Sequence, residues 1–287
     1  MRDLNEITIT DEVVGAVAGG SNDRIRRISQ ALIRHLHNFV REVEPSQKEW
    51  EQGIDFLTQT GQMCSDVRQE FILLSDALGV SMLVDTINHR HPDGATETTV
   101  FGPFFVEDRQ EFALGANISE GVPGVPLFVS GTVKDIAGSP IEGATVDSWH
   151  SDDEGFYDVQ KGHDLAMRGR FNTDAGGRFW FWTVRPKFYP IPNDGPVGKM
   201  LEAQGRHPFR PEHVHFMIAA PDQETLVTHV FIDGDPYLDT DVVFGVKNSL
   251  VTGYRSCTPG IAPDGKNVDL PYLVLDYDFV LSPEKIP

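Results

Sequence analysis

From Ser21 onward the apolar positions recur at helical spacing. Ile25, Ile28, Leu32, Leu36, Phe39 and Val43 lie three or four residues apart, which predicts one amphipathic helix. Ser21-Asn-Asp23 offers its N-cap and Pro45 ends it. Ser46 and Glu49 form a capping box for a second helix, whose apolar face includes Trp50, Ile54 and Leu57. A third helical segment runs from Asp66 to about Asn88 and carries Phe71, Ile72, Leu73, Leu74, Leu78, Met82, Leu83 and Ile87, with Gly79 as a break or kink. Near residue 96 the texture changes to short alternating or β-rich runs between Gly, Pro and Asp. The expected strands are Leu127–Lys134, Ala144–His150, Gly177–Val184, His213–Ala219, Thr225–Ile232 and Tyr272–Leu281. Asp174-Ala-Gly-Gly177 and Asp233-Gly-Asp235 are turn signals. One short helix, with Pro196 near its start, Lys199 to Gln204 within it and Gly205 at its end, interrupts the strands.

This pattern predicts a mainly β protein with α: a helical N-terminal domain over 1–95, followed by a mixed-topology β-sandwich over 96–287. Strands and helices do not alternate as a parallel nucleotide-binding sheet requires, and no glycine-rich phosphate loop occurs. No stretch approaches the roughly 20 apolar residues of a membrane span. The polar, acidic start predicts no export signal. The two cysteines, Cys64 expected in a helix and Cys257 in a loop, fit a reducing cytoplasm and are too few for a thiolate cluster. A net charge of −19 argues against nucleic acid and anionic membrane surfaces as partners. It leaves small anionic substrates open, because local charge near a metal overrides net charge.

The densest chemistry sits in Arg210-Pro-Glu-His-Val-His-Phe216. On a strand, residues two apart share a face, so His213 and His215 project together at chelating distance, with Val214, Phe216 and Ile218 opposite. His35-Leu-His37 is a control: on a helix the same spacing diverges, and that pair is expected to be solvated. His89 and His91 are expected as helix-end or surface groups. His150, His163 and His207 are expected in surface or loop roles, with His207 a possible support for the site. Tyr157 and Tyr189 lie in Gly/Pro-punctuated loops beside strands, where ligands tend to originate. Tyr237, Tyr254, Tyr272 and Tyr277 are expected to be packing residues, and Asp152-Asp-Glu154 a solvated turn. Val100–Phe104 is open between a core loop and a pocket wall. Two phenols and two imidazoles would be unusual for zinc or copper. They suit ferric iron, since two phenolates and one hydroxide neutralise its three charges.

Taken together, Gly155-Phe-Tyr157, Tyr189-Pro-Ile-Pro192, Asp194-Gly-Pro196, Gly205-Arg-His207 and Arg210-Pro-Glu-His-Val-His215 resemble the intradiol ring-cleaving dioxygenases over nearly the whole chain. Phe188 through Gly198, Leu226-Val-Thr-His-Val-Phe231 and Tyr237 through Leu250 tilt the likeness toward the hydroxyquinol 1,2-dioxygenase branch. The resemblance implies Fe(3+) held by Tyr157, Tyr189, His213 and His215, with Tyr189 also catalytic as the ligand that the substrate displaces. It implies an aromatic diol or triol and O2 as substrates, cleaved to a dicarboxylate. Arg210 would face away on a regular strand, but Pro211 interrupts regularity, and the resemblance brings Arg210 to the site to stabilise negative charge. The implied pocket wall is Leu73, Asp76, Val100, Phe101, Gly102, Pro103, Phe104, Ile191, Pro192 and Val243. Asp76 would accept a hydrogen bond from the third hydroxyl of hydroxyquinol. Catechol enzymes usually carry glutamine where His229 stands, so this support to Arg210 or the substrate differs chemically. The resemblance further implies a homodimer through the N-terminal helices and allows a phospholipid-like amphiphile to be bound there. The rival functions are a catechol or chlorocatechol 1,2-dioxygenase and a non-catalytic metal-binding or carrier sandwich.

Overall fold

The computed structural model describes residues 2–66, 68–107, 110–161 and 165–284; His163 lies outside them. The chain forms two compact units, Met1–Gln62 and Met63–Pro287. The first holds helices α1 (Ile9–Ala16), α2 (Asp23–Val43) and α3 (Gln47–Gln62). Asn22 caps α2 by accepting from the amide of Ile25 at 3.0 Å, and Glu44 ends it in a left-handed conformation before Pro45. The Ser46–Glu49 box closes in both directions: Glu49 accepts from the Ser46 amide at 2.8 Å, and Ser46 from the Glu49 amide at 3.3 Å. The short α1 was not evident in the apolar spacing. It lies against α2, where Thr10 meets His37 at 3.0 Å, so His37 is not simply solvated. Ile25, Ile28, Leu32, Leu36, Phe39 and Val43 are all exposed on the single chain.

The second unit opens with α4 (Glu70–Ala77) and α5 (Val80–Asn88). Gly79, left-handed at φ +71°, splits the single segment expected there. The strands follow as β1 (Pro126–Asp135), β2 (Thr145–Trp149), β3 (Arg168–Asn172) and β4 (Arg178–Val184), with a short α6 (Asp158–Lys161) before β3. Next come β5 (Tyr189–Pro190), α7 (Pro196–Ala203), β6 (Phe209–Arg210), β7 (His213–Ala219) and β8 (Leu226–Ile232). The last strands are β9 (Val251–Thr252), β10 (Arg255–Cys257), β11 (Gly260–Ile261), β12 (Asn267–Val268), β13 (Tyr272–Asp276) and β14 (Phe279–Leu281). Cys64 falls in the loop after α3 rather than in a helix, Cys257 in β10 rather than in a loop, and neither forms a disulfide.

Two sheets enclose the core. One runs β3-β2-β7-β8-β9. In the other, β1 is central, antiparallel to β4 and parallel to β13 and β14. Val146, Phe171, Val214, Phe216 and Ile218 from the first sheet meet Val129, Val133, Phe179, Phe181 and Phe279 from the second, all almost fully buried. This is the mixed-topology sandwich read from the strand pattern. The expected single strand Tyr272–Leu281 is two, because the chain steps along β1 between them. Tyr277 donates its amide to the Ser130 carbonyl and Asp278 accepts from the Thr132 amide. The step needs Gly131, where a Cβ would lie 1.9 Å from the Tyr277 carbonyl oxygen. Strand β3 went unrecognised because Arg168 and Arg170 interrupt its apolar alternation. Both are paired, Arg168 with Asp158 and Arg170 with Asp147, which lets a strand carry charge at buried positions.

Candidate metal centre

Strand β7 builds the centre. It pairs with β2 and β8 in a register that puts Trp149, His215 and His229 in one cross-strand row. Residues opposite one another share a face of the sheet, so the three rings lie in contact: Trp149 stacks on His215 at 4.6 Å and 14°, and His229 meets His215 at 4.1 Å, tilted by 52°. His213 shares that face two residues away. Val214, Phe216 and Ile218 enter the core opposite, as the alternation predicts.

The hydroxyl of Tyr157 lies 2.9 Å from Nε2 of His215 and 3.3 Å from Nε2 of His213, and the two Nε2 atoms are 3.2 Å apart. Tyr189 stands edge-on to Tyr157 with centroids 5.3 Å apart. All four side chains are buried. Nδ1 of His213 is 2.7 Å from the Pro211 carbonyl. A carbonyl only accepts, so Nδ1 carries the proton and the Nε2 lone pair points at the Tyr157 oxygen. Burial, reinforced by Arg210 and by the histidines themselves, holds the imidazoles of His213 and His215 well below their ordinary range, so they are neutral. Burial pushes Tyr157 well above 10, with Tyr189 adding to the effect. Two neutral imidazoles and the Tyr157 phenol converge, with the Tyr189 ring beside them, a donor set of the kind that suits a hard cation able to ionise a phenol.

Arg210 reaches this face by a route that strand periodicity could not show. The chain breaks at Pro211, and Arg210 belongs to the β5–β6 ladder, directly opposite Tyr189. Its guanidinium is buried and forks onto Asp241 at 3.2 and 3.3 Å. Burial opposes its charge, but Asp241, Tyr189 and Tyr157 together hold its pKa above the usual guanidinium value. Its third contact is Nε2 of His229 at 3.4 Å. A guanidinium only donates, so this nitrogen accepts and Nδ1 carries the proton toward Thr99 Oγ1. His213, His215 and His229 lie close enough to bind one ion together. However, the lone pair of His229 is already committed to Arg210, which leaves it a support for the arginine rather than a metal ligand.

Asp76 is the only acid of the expected pocket. Burial raises its pKa, offset in part by a hydrogen bond with Ser81 and by the charge of Arg210. Leu73, Val100, Ile191 and Val243 pack into one apolar cluster with Ala77, Met82 and Leu201. Phe104 stacks on Tyr157 at 4.3 Å and 25°. Phe101 lies against Phe105 and Trp149. Gly102, at φ +77°, passes so close to the metal face that a Cβ would be 3.0 Å from Cε1 of His215. Pro103 is exposed and Pro192 half-buried, and neither joins these clusters.

Two readings change. His150 is fully buried between the Ser151 carbonyl and the Thr183 hydroxyl, not at the surface. Asp152 is buried as well: it accepts from the amides of Glu154 and Phe156 and pairs with Lys161, so only its neighbours Asp153 and Glu154 are solvated. His207 keeps the loop role expected of it, bonding Thr240 and packing on Tyr237. Asp241, Thr99 and Trp149 were not singled out from the sequence. Asp241 followed by a short apolar run had no charge partner nearby in sequence to mark it.

Residues 100–283 match the family model described as "Dioxygenase", and residues 22–96 match "Catechol dioxygenase N terminus". The chain is 49% identical over 285 residues to 6-chlorohydroxyquinol 1,2-dioxygenase of Cupriavidus pinatubonensis, covering 99% of each chain. Its structure is similar to that of hydroxyquinol 1,2-dioxygenase from Pseudomonas putida DLL-E4, with TM-score 0.93 and 49% identity over 97% of this chain and 99% of that one. Catechol 1,2-dioxygenase of Acinetobacter radioresistens gives TM-score 0.84 at 28% identity, covering 99% of this chain and 95% of that one.

Proposed function

The chain belongs to the intradiol ring-cleavage dioxygenases, and from that premise we propose that it is a ferric hydroxyquinol 1,2-dioxygenase. It would open benzene-1,2,4-triol between its adjacent hydroxyls with both atoms of O2, giving 3-hydroxy-cis,cis-muconate or its tautomer maleylacetate. The observation that carries this reading is the convergence of the Tyr157 oxygen on Nε2 of both His213 and His215 with Tyr189 beside it. The greater likeness to hydroxyquinol enzymes than to catechol enzymes supports the substrate.

Tyr157, Tyr189, His213 and His215 would hold the iron. When bound, Fe(3+) supplies a Lewis acid that orients the two adjacent hydroxyls and draws on the electrons of the ring. The residues do the rest. Tyr189, on a two-residue ladder rather than in the main sheet, is the phenol placed to leave and to accept a proton from the substrate. Arg210, opposite it, places a fixed positive charge where negative charge develops on the substrate. His229 and Asp241 keep that charge in place. Phe101, Gly102, Phe104, Leu73, Val100, Ile191, Pro192 and Val243, with Pro103 at the loop's exposed turn, would form the ring's apolar enclosure. Asp76 would take the third hydroxyl.

No described helix is long and apolar enough to cross a membrane, and a cytoplasmic location fits two cysteines that form no disulfide. The exposed apolar row on α2 favours a homodimer through these helices, with room for a phospholipid-like amphiphile against the same row.

A visible spectrum tests the metal. Iron-replete protein should be red-brown from tyrosinate-to-iron charge transfer, and Tyr157→Phe and Tyr189→Phe should each weaken or shift the band. A colourless iron-replete protein would favour a non-catalytic metal-binding or carrier sandwich. A band unmoved by Tyr189→Phe would remove that residue from the ligand set.

A further inference from the structure

Residue Asp158 directly follows the ligand Tyr157, and its carboxylate is buried. It accepts both Nε and Nη2 of Arg168, an arginine that is itself only 4% exposed. The remaining arm of Arg168 goes elsewhere: Nη1 donates to the carbonyl of Phe104 at 3.1 Å. The ring of Phe104 is the one stacked 4.3 Å from Tyr157. The contacts therefore form a closed circuit, from Tyr157 through the peptide bond to Asp158, across the ion pair to Arg168, on to Phe104, and back to Tyr157 through the stack. One planar cation with five fixed donors can make both connections at once; an ammonium cannot.

Two features show that the circuit is built in. Met167, immediately before Arg168, holds φ +55°, a conformation that is costly for a non-glycine residue and persists only when its surroundings enforce it. Its amide donates to the Ile118 carbonyl at 2.6 Å and its carbonyl accepts from the His150 amide at 3.2 Å, so the kink is held from both sides. Arg168 then pairs opposite Trp149, next to the row that carries His215. Asp158 is fixed independently of Arg168, by the Ala166 amide at 3.0 Å. The loop that Arg168 fastens touches the centre twice, through Phe104 on Tyr157 and Gly102 on His215.

We propose that Arg168 is a positioning residue of the metal centre: by tying the Phe104 carbonyl to Asp158 it seats the 100–105 loop on Tyr157 and keeps water from that phenolate. It touches neither substrate nor metal. This inference rests on Tyr157 being an iron ligand as proposed above. Arg168→Lys keeps the charge and loses the fork. Phe104→Leu keeps the Arg168–Asp158 pair and loses the stack, so it serves if the first variant folds poorly.

Two readouts separate this inference from the reading beneath it. In metal-free protein, hydrogen exchange of residues 100–107 should rise at least tenfold in Arg168→Lys, while the amides of β7 and β8 stay protected. In iron-loaded protein, the tyrosinate charge-transfer band of both variants should shift to shorter wavelength, since water reaching the phenolate oxygen weakens its donation. Unaltered exchange overturns the proposal. Raised exchange with an unmoved band overturns it too, because the loop would then be fastened without effect on the ligand. Absence of the band in the wild-type protein would instead refute the iron reading, and the exchange result alone would then decide whether Arg168 fastens the loop.

Discussion

The phenol oxygen of Tyr157 sits 2.9 Å from Nε2 of His215, 58 residues away in the chain. Burial keeps this phenol protonated at neutral pH while the imidazoles beside it are already neutral. With Tyr157 in the proposed ligand set, iron binding should release its proton, and the apparent affinity should rise with pH below the tyrosine range. Stopped-flow proton release on adding ferric iron to metal-free protein should show one proton fewer in Tyr157→Phe. Equal release in the two proteins would mean that Tyr157 does not ionise.

Arg210 and Asp241 are a buried pair, each 2–3% exposed in its side chain. Replacing such a pair entirely can be neutral, but removing one partner strands the other. Asp241→Ala should destabilise the protein by about 3–5 kcal/mol in urea unfolding. The double variant Arg210→Met/Asp241→Leu should recover much of that loss while remaining inactive. A single variant as stable as wild type would mean that Arg210 has another counter-ion.

His150 is buried, and its pKa is lowered by that burial from 6.5 to about 4. A base with a depressed folded pKa contributes stability that is complete above 6.5 and lost as pH falls toward 4, because the unfolded chain binds the proton first. The loss from this residue amounts to about 3 kcal/mol by pH 4. His150→Gln should flatten the stability profile across that window. An unchanged profile would place the acid sensitivity elsewhere.

Asp76 lies near the positive end of Arg210 but does not pair with it. If it accepts the third hydroxyl of the substrate, catechol leaves it unsatisfied, which is the strongest form of discrimination a polar group offers. Asp76→Ala should lower kcat/KM for hydroxyquinol by two or more orders of magnitude and narrow the preference over catechol. Unchanged selectivity would assign discrimination to the apolar wall.

Strand β7 was legible residue for residue because His213–Ala219 alternates cleanly between a chemical face and a core face. The caps of α2 and α3 were legible because they are contacts within three residues. What could not be read depends on contacts distant in sequence. Arg210 reaches the centre only because β5 and β6 pair across 21 residues. Its partner Asp241 is 31 residues away, and Thr99 is 130 residues from His229. His150 looked like a loop residue because the Thr183 hydroxyl that satisfies it comes from the opposite sheet. Arg168 carried no signal in the sequence, because its partners, Asp158 and the Phe104 carbonyl, lie 10 and 64 residues away.

Oxygen uptake by iron-replete protein with hydroxyquinol and with catechol, each corrected for autoxidation with Tyr189→Phe, tests the central claim most directly. The expected result is rapid, enzyme-dependent uptake of one O2 per hydroxyquinol and slow or no uptake with catechol. Preference for catechol would retain the iron chemistry and refute the substrate, and no enzyme-dependent uptake with either diol would contradict the dioxygenase itself.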